Sequence, residues 1–121
     1  MNMKWIVFFV VFSLGSIGAN AQNDYYERQS KSHQSEAAYY LRQAQGYDRD
    51  AEYYMREASG YLRDAEYYQR QKRYDQARDQ LRRAQNAVDR ADDNKRRAEN
   101  ARYNAKTHMR QAENALQNVR K

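Results

Sequence analysis

The feature that most restricts what this chain can fold into is a seven-residue repeat carried by alanine. Alanine stands at Ala37, Ala44, Ala51, Ala58 and Ala65. Tyrosine follows three places later at Tyr40, Tyr47, Tyr54, Tyr61 and Tyr68, and arginine holds a third register at Arg42, Arg49, Arg56, Arg63 and Arg70. In heptad lettering a is Ala, d is Tyr and f is Arg. An apolar repeat of this period marks a helix packed along one seam against a partner. With alanine at every a position, the helix axes are expected to approach toward the low end of the usual range of about 8–10 Å.

The register breaks after about residue 70 and resumes at Ala77, continuing through Ala84, Ala91, Ala98, Ala105 and Ala112 to Val119. The large residues of this second seam are read as Leu81, Val88, Lys95, Arg102, Met109 and Leu116, with the stems of Lys95 and Arg102 packing while their charges reach water. Folding the chain back between Lys72 and Arg73 sets Tyr68 against Ala77, Tyr61 against Ala84, Tyr54 against Ala91, Tyr47 against Ala98 and Tyr40 against Ala105. Large then meets small in each layer, as close packing requires. Charge agrees: residues 22–71 carry a net −2 and residues 74–121 a net +5. The expected fold is all-α, a long antiparallel helical hairpin with an Ala-rich coiled-coil seam. The alternative is one long interrupted helix that forms an intermolecular coiled coil, since the segment 71–74 has no Gly, Asn or Pro, the usual turn residues.

The ends read differently. Residues 1–21 have the pattern of a cleaved signal peptide: Lys4, an apolar stretch over 5–14 that is too short to span a bilayer, and the small-x-small site Ala19-Asn20-Ala21. The mature chain is then expected to start at Gln22 and to be secreted, or periplasmic in a bacterium. Residues 22–34 are read as a polar flexible tail, with Ser32 or Ser35 capping the first helix. The expected order is signal peptide 1–21, tail 22–34, helix 35–71, turn 72–74 and helix 75–121.

Beyond the leader the apolar inventory is fifteen Ala, twelve Tyr, four Leu, two Val and two Met; every Phe, Trp and Ile lies before residue 22. That stock lines a narrow seam but does not fill a globular core. The chain has no Cys, so its stability rests on helix packing or assembly rather than on disulfides.

The segment 65–84 resembles part of a tetratricopeptide unit in the tyrosine before the turn, the Tyr74-Asp75-x-Ala77 after it and the later Ala84. Its turn is one residue longer, and no second unit follows. The resemblance implies a helix-turn-helix and no family.

Three sets of side chains are candidates for function. Tyr25, Tyr39, Tyr53 and Tyr67 repeat every fourteen residues at position c, with Gly46 and Gly60 in alternate slots. They flank the seam and are expected to be exposed, for interaction or for oxidation to crosslinks. Arg82, Arg83, Lys95, Arg96 and Arg97 are candidate contacts for anionic glycans, lipid or other polymers. Arg70, Lys72 and Arg73 form an Arg-x-Lys-Arg sequence resembling a convertase site, with cleavage after Arg73. No catalytic, cofactor or metal residues are expected, and no specific nucleic-acid partner. His33 and His108 are read as surface residues, and no Gly-rich phosphate loop or nucleophile motif is present. The expected function is a secreted, non-catalytic helical structural or protein-interaction component of extracellular material. Its partner is a second copy or another extracellular protein, with no transmembrane segment in the mature chain. An electrostatic binder of anionic polymers and a secreted precursor cleaved after Arg73 are the alternatives.

Overall fold

A computed structural model of the chain describes residues 19–119. It consists of two long helices packed against each other, α1 (Ala19–Arg70) and α2 (Tyr74–Gln117). Among the described residues only 71–73 and 118–119 are outside helix. The chain reverses between the helices rather than continuing as one interrupted helix. Most of the leader expected over 1–21 lies outside the described residues; residues 19–21 form the start of α1.

By their contacts the residues form two units. One is Tyr40–Tyr103, which holds the reversal; the other joins Met1–Tyr39 to Asn104–Lys121, of which 19–39 and 104–119 are described.

The reversal is a helix C-cap closed by a residue that sequence statistics disfavour. Lys72 takes a left-handed conformation with φ 61°. The Arg73 amide donates to the Tyr68 carbonyl at 2.8 Å and the Lys72 amide to the Gln69 carbonyl at 2.9 Å. These are the two bonds of a Schellman motif, which satisfy carbonyls that the end of a helix leaves open. Glycine usually fills the left-handed position because it has no Cβ to clash with the backbone. A lysine there is tolerated because the paired bonds and the packed helices on either side fix the geometry. The Arg73 carbonyl accepts the Ala77 amide at 3.0 Å, the first bond of α2, and the Arg73 guanidinium lies 5.2 Å from the centre of the Tyr68 ring. Asp75 in the first turn of α2 complements the helix dipole.

In the Tyr40–Tyr103 unit the buried apolar residues are all alanine: Ala44, Ala51, Ala58 and Ala65 on α1, and Ala77, Ala84, Ala87, Ala91, Ala98 and Ala101 on α2. Ala44, Ala98 and Ala101 form one cluster, with Tyr40 and Tyr47 packed against it. Tyr47, Tyr54, Tyr61 and Tyr68 are half-buried. Their rings flank the alanine rows from the side.

One row of the expected seam is corrected. Leu81 is 47 % exposed, Val88 is half-buried, and Lys95 and Arg102 are exposed. The second row of α2 runs instead through Gln80, Ala87, Asn94 and Ala101, one residue earlier in each heptad; all four are buried or half-buried. A reversal centred between Lys72 and Arg73 puts these positions opposite Ala65, Ala58, Ala51 and Ala44. A residue one place further along the helix is rotated by about 100°, out of the seam. Alanine against alanine also leaves no room for a leucine between the backbones.

In the second unit Ala37, Ala105 and Ala112 are buried, while Met109 is 47 % exposed and Leu116 49 %, so Met109 also lies outside the seam. The flexible tail expected over 22–34 is helical instead, and Ser32 and Ser35 are exposed within a continuous helix rather than capping one. The heptad runs on upstream through Ser30 at a, with Tyr26 and His33 at d. Ser30 is 1 % exposed, and its hydroxyl accepts a hydrogen bond from Gln34 Nε2 at 3.0 Å. A satisfied serine is small enough to take an alanine's place in such a row.

The turn and the seam make separate, opposite predictions. Lys72→Gly is expected to stabilise the chain by about 0.5–1 kcal/mol by relieving the left-handed strain, and Lys72→Val to destabilise it by about 1 kcal/mol or more; urea unfolding measures both. Ala58→Leu is expected to cost about 1–3 kcal/mol through overpacking, whereas Leu81→Ala changes stability by less than about 0.5 kcal/mol. A Leu81→Ala cost as large as that of Ala58→Leu would restore the leucine to the seam.

Candidate functional site

The c-row tyrosines stand where the period puts them. Tyr39, Tyr53 and Tyr67 are 50 %, 49 % and 48 % exposed, and Tyr25 is half-buried. Tyr25 meets Tyr26 of the d row edge to face at 5.2 Å between ring centres, Tyr53 meets Tyr54 at 5.3 Å, and Tyr67 meets Tyr68 at 5.5 Å. Adjacent positions c and d project about 100° apart on a helix, so a T-shaped pair is the contact they can make. Tyr54 also lies under the guanidinium of Arg90 from α2, 5.7 Å from its centre.

Two of these phenols are perturbed. The Tyr53 hydroxyl donates to Glu57 Oε2 at 2.8 Å, and this hydrogen bond, with the carboxylate's charge, holds its pKa above the usual value of 10.0. Burial pushes Tyr25 upward, partly offset by the hydrogen bond its oxygen accepts from Gln29 Nε2 at 3.3 Å.

The basic residues are partly neutralised within their own helix. Asp79 accepts from Arg82 at 2.8 Å and from Arg83 at 3.0 Å, and fourteen residues on Asp93 pairs with Arg96 at 3.1 Å and Arg97 at 3.2 Å. Each carboxylate holds the guanidinium groups of two consecutive arginines on the next turn, which weakens α2 as a continuous cationic strip. Lys95 instead lines a groove of about 680 Å³ with Asp48, Ala51 and Met55. Arg102 reaches across to Asp48 at 2.8 Å. Arg70, Lys72 and Arg73 are exposed at the reversal.

One constellation escaped the sequence reading. In the unit that joins Met1–Tyr39 to Asn104–Lys121, His33 of α1 and His108 of α2 stack with ring centres 5.2 Å apart, their Nδ1 atoms 3.0 Å from each other. His108 Nε2 lies 3.0 Å from Glu36 Oε1. Both histidines are half-buried and Glu36 is exposed. One ligand atom from each of the three residues falls within 4.8 Å of the others, the donor set of a borderline divalent cation. Taken as separate surface residues, these histidines gave no metal-ligand spacing. The missed signal was register: His33 occupies the d position that tyrosine holds in the next five heptads, and His108 falls three residues after Ala105, in the true second row of α2.

No match to this chain emerges from comparison with protein-family models, with curated proteins or with solved structures.

The Tyr53–Glu57 pair predicts a pH effect. Because the folded-state pKa is raised above that of the unfolded chain, the bond's contribution to stability is intact below about pH 10 and is lost as pH rises through the higher folded value. Glu57→Gln is expected to bring the Tyr53 titration down toward its ordinary value, as read from the ring carbon beside the hydroxyl by NMR. A Tyr53 titration unmoved by the substitution overturns the assignment.

Proposed function

We propose that this chain is a secreted, non-catalytic helical component of extracellular material, an alanine-seamed antiparallel coiled coil that works by associating with further copies of itself. The observation that carries the proposal is an uncovered apolar row beside the seam of the Tyr40–Tyr103 unit. Leu41, Met55 and Leu62 of α1 and Leu81 of α2 are each between 40 % and 49 % exposed. All occupy the e position of their heptads. The contact of Arg102 with Asp48, also e residues, puts the two rows on one side of the unit. Asp48, Lys95 and Arg102 share these e rows, and the exposed apolar side chains between them mark a surface suited to association. The net −2 of residues 22–71 and net +5 of residues 74–121 favour a second copy in which the acidic helix of one chain meets the basic helix of the other. The tyrosine and glycine alternation at c supplies a second, amphipathic face.

A processed precursor is the second reading, favoured by the exposure of Arg70, Lys72 and Arg73 at the reversal. Binding of anionic polymers draws less support, because Asp79 and Asp93 occupy four of the five candidate cations.

Sedimentation equilibrium across the micromolar range tests the association. The expected result is a dimer or larger assembly that the double variant Met55→Glu, Leu62→Glu converts to monomer with its helical circular dichroism intact. A wild-type chain that stays monomeric throughout would sink the reading. Intact mass of the protein from its natural source separates the alternatives: one chain beginning at Gln22 supports the unprocessed component, and a new end after Arg73 the precursor.

A further inference from the structure

We infer that His33, Glu36 and His108 form a binding site for a divalent transition-metal ion of the zinc class, which clasps α1 to α2 within the unit that joins Met1–Tyr39 to Asn104–Lys121. The inference is independent of the association proposed above and uses none of its residues.

The geometry is that of a site with its ligands already gathered. Tetrahedral zinc with nitrogen ligands at about 2.0–2.1 Å sets those ligands roughly 3.3 Å apart. The two imidazole Nδ1 atoms are 3.0 Å apart, so a small outward shift of either ring admits an ion between them. The contact of His108 Nε2 with Glu36 Oε1 at 3.0 Å fixes which nitrogen is free. With the proton of the neutral ring on Nε2 and donated to the carboxylate, Nδ1 presents its lone pair toward His33, whose own Nδ1 then holds the proton of the 3.0 Å contact; an incoming ion replaces that proton as His33 shifts, through solvent, to its Nε2–H tautomer. A Glu36 oxygen also lies within the 4.8 Å spread of the three donor atoms. In the ion-free chain Glu36 orients the His108 ring; its side chain is 55 % exposed, so on metal binding it gives up the Nε2–H bond to water and turns an oxygen to the ion. Water completes the four positions.

The surroundings fit a structural ion better than an apolar contact. Along this part of the molecule the alanine and tyrosine rows give way to Ser30 and His33 on α1 and to His108 on α2. Gln111, one turn beyond His108, has its Oε1 atom buried with no hydrogen-bond partner. A seam with so many polar members gains little from apolar burial. A cation joining residues 75 positions apart in sequence closes a long loop, where a metal clip has most to add. Two imidazoles and one carboxylate suit zinc or copper and suit magnesium or calcium poorly.

The test is calorimetric titration of the purified chain with Zn²⁺ in a non-chelating buffer at neutral pH, together with thermal unfolding in Zn²⁺ and in EDTA. The expected result is one ion per chain with a dissociation constant in the micromolar range or below. Saturating Zn²⁺ is expected to raise the unfolding midpoint by about 5 °C or more, and EDTA to reverse the rise. His33→Tyr restores the tyrosine that the other d positions carry, so it keeps the helix while removing a ligand. It and Glu36→Gln are each expected to weaken binding by about 10-fold or more. The absence of zinc binding in wild type overturns the proposal and leaves a hydrogen-bonded histidine pair. Binding that His33→Tyr leaves unchanged overturns it as well, assigning the ion to scattered surface carboxylates.

Discussion

The structure depends on alanine meeting alanine across the seam. A methyl group contributes little by itself, about 0.8 kcal/mol when buried, so no single layer holds the helices together. What alanine supplies is proximity: it lets two backbones approach until tyrosine rings on the flanks reach over and cover the line of contact. The rings then contribute the larger apolar area. The same proximity excludes bulk. Leu81 and Met109 are turned outward, and leucine and methionine side chains become surface on both helices. The association surface proposed here is therefore a consequence of the narrow seam.

The reversal shows how much local propensity a packed seam can override. Nothing in Gln71-Lys72-Arg73 favours a turn, and Lys72 adopts a backbone conformation that ordinarily belongs to glycine. The two Schellman hydrogen bonds and the register of the flanking alanines leave the chain one place to reverse. The repeat stops between Tyr68 and Ala77, and a shift of the fold point would break the pairing of tyrosine with alanine all along the Tyr40–Tyr103 unit. Register, summed over many layers, outweighs the roughly 1–2 kcal/mol cost of one left-handed residue.

Chemical character is unevenly divided. The Tyr40–Tyr103 unit is regular, with alanine inside, tyrosine at the flank and several α2 arginines held by aspartates of the same helix. The other unit breaks the pattern at Ser30, His33 and His108, and there side chains able to bind a cation come together. Regular positions explain themselves through packing; His33, at a position where packing alone accepts tyrosine, calls for another account, and the metal site provides one.

The sequence by itself determined the helices, the period of the seam, the large-on-small pairing of Tyr47 with Ala98, the point of reversal and the exposure of Tyr39, Tyr53 and Tyr67. Each follows from a local rule of composition or from a period repeated often enough to outweigh any single residue. Three matters were decided only by tertiary structure. The second row of α2 runs through Ala87 and Ala101 rather than Val88 and Arg102. Hydrophobicity pointed to the larger residues, but the space between two close backbones admits only the smaller. Residues 22–34 are helical because Ser30 is buried in the seam with its hydroxyl bonded to Gln34 of the same helix, and His33 meets His108 across it, although their residue types favour loops when considered alone. His33, Glu36 and His108 meet because a chain reversal brings together residues 75 positions apart, a proximity that linear spacing does not display.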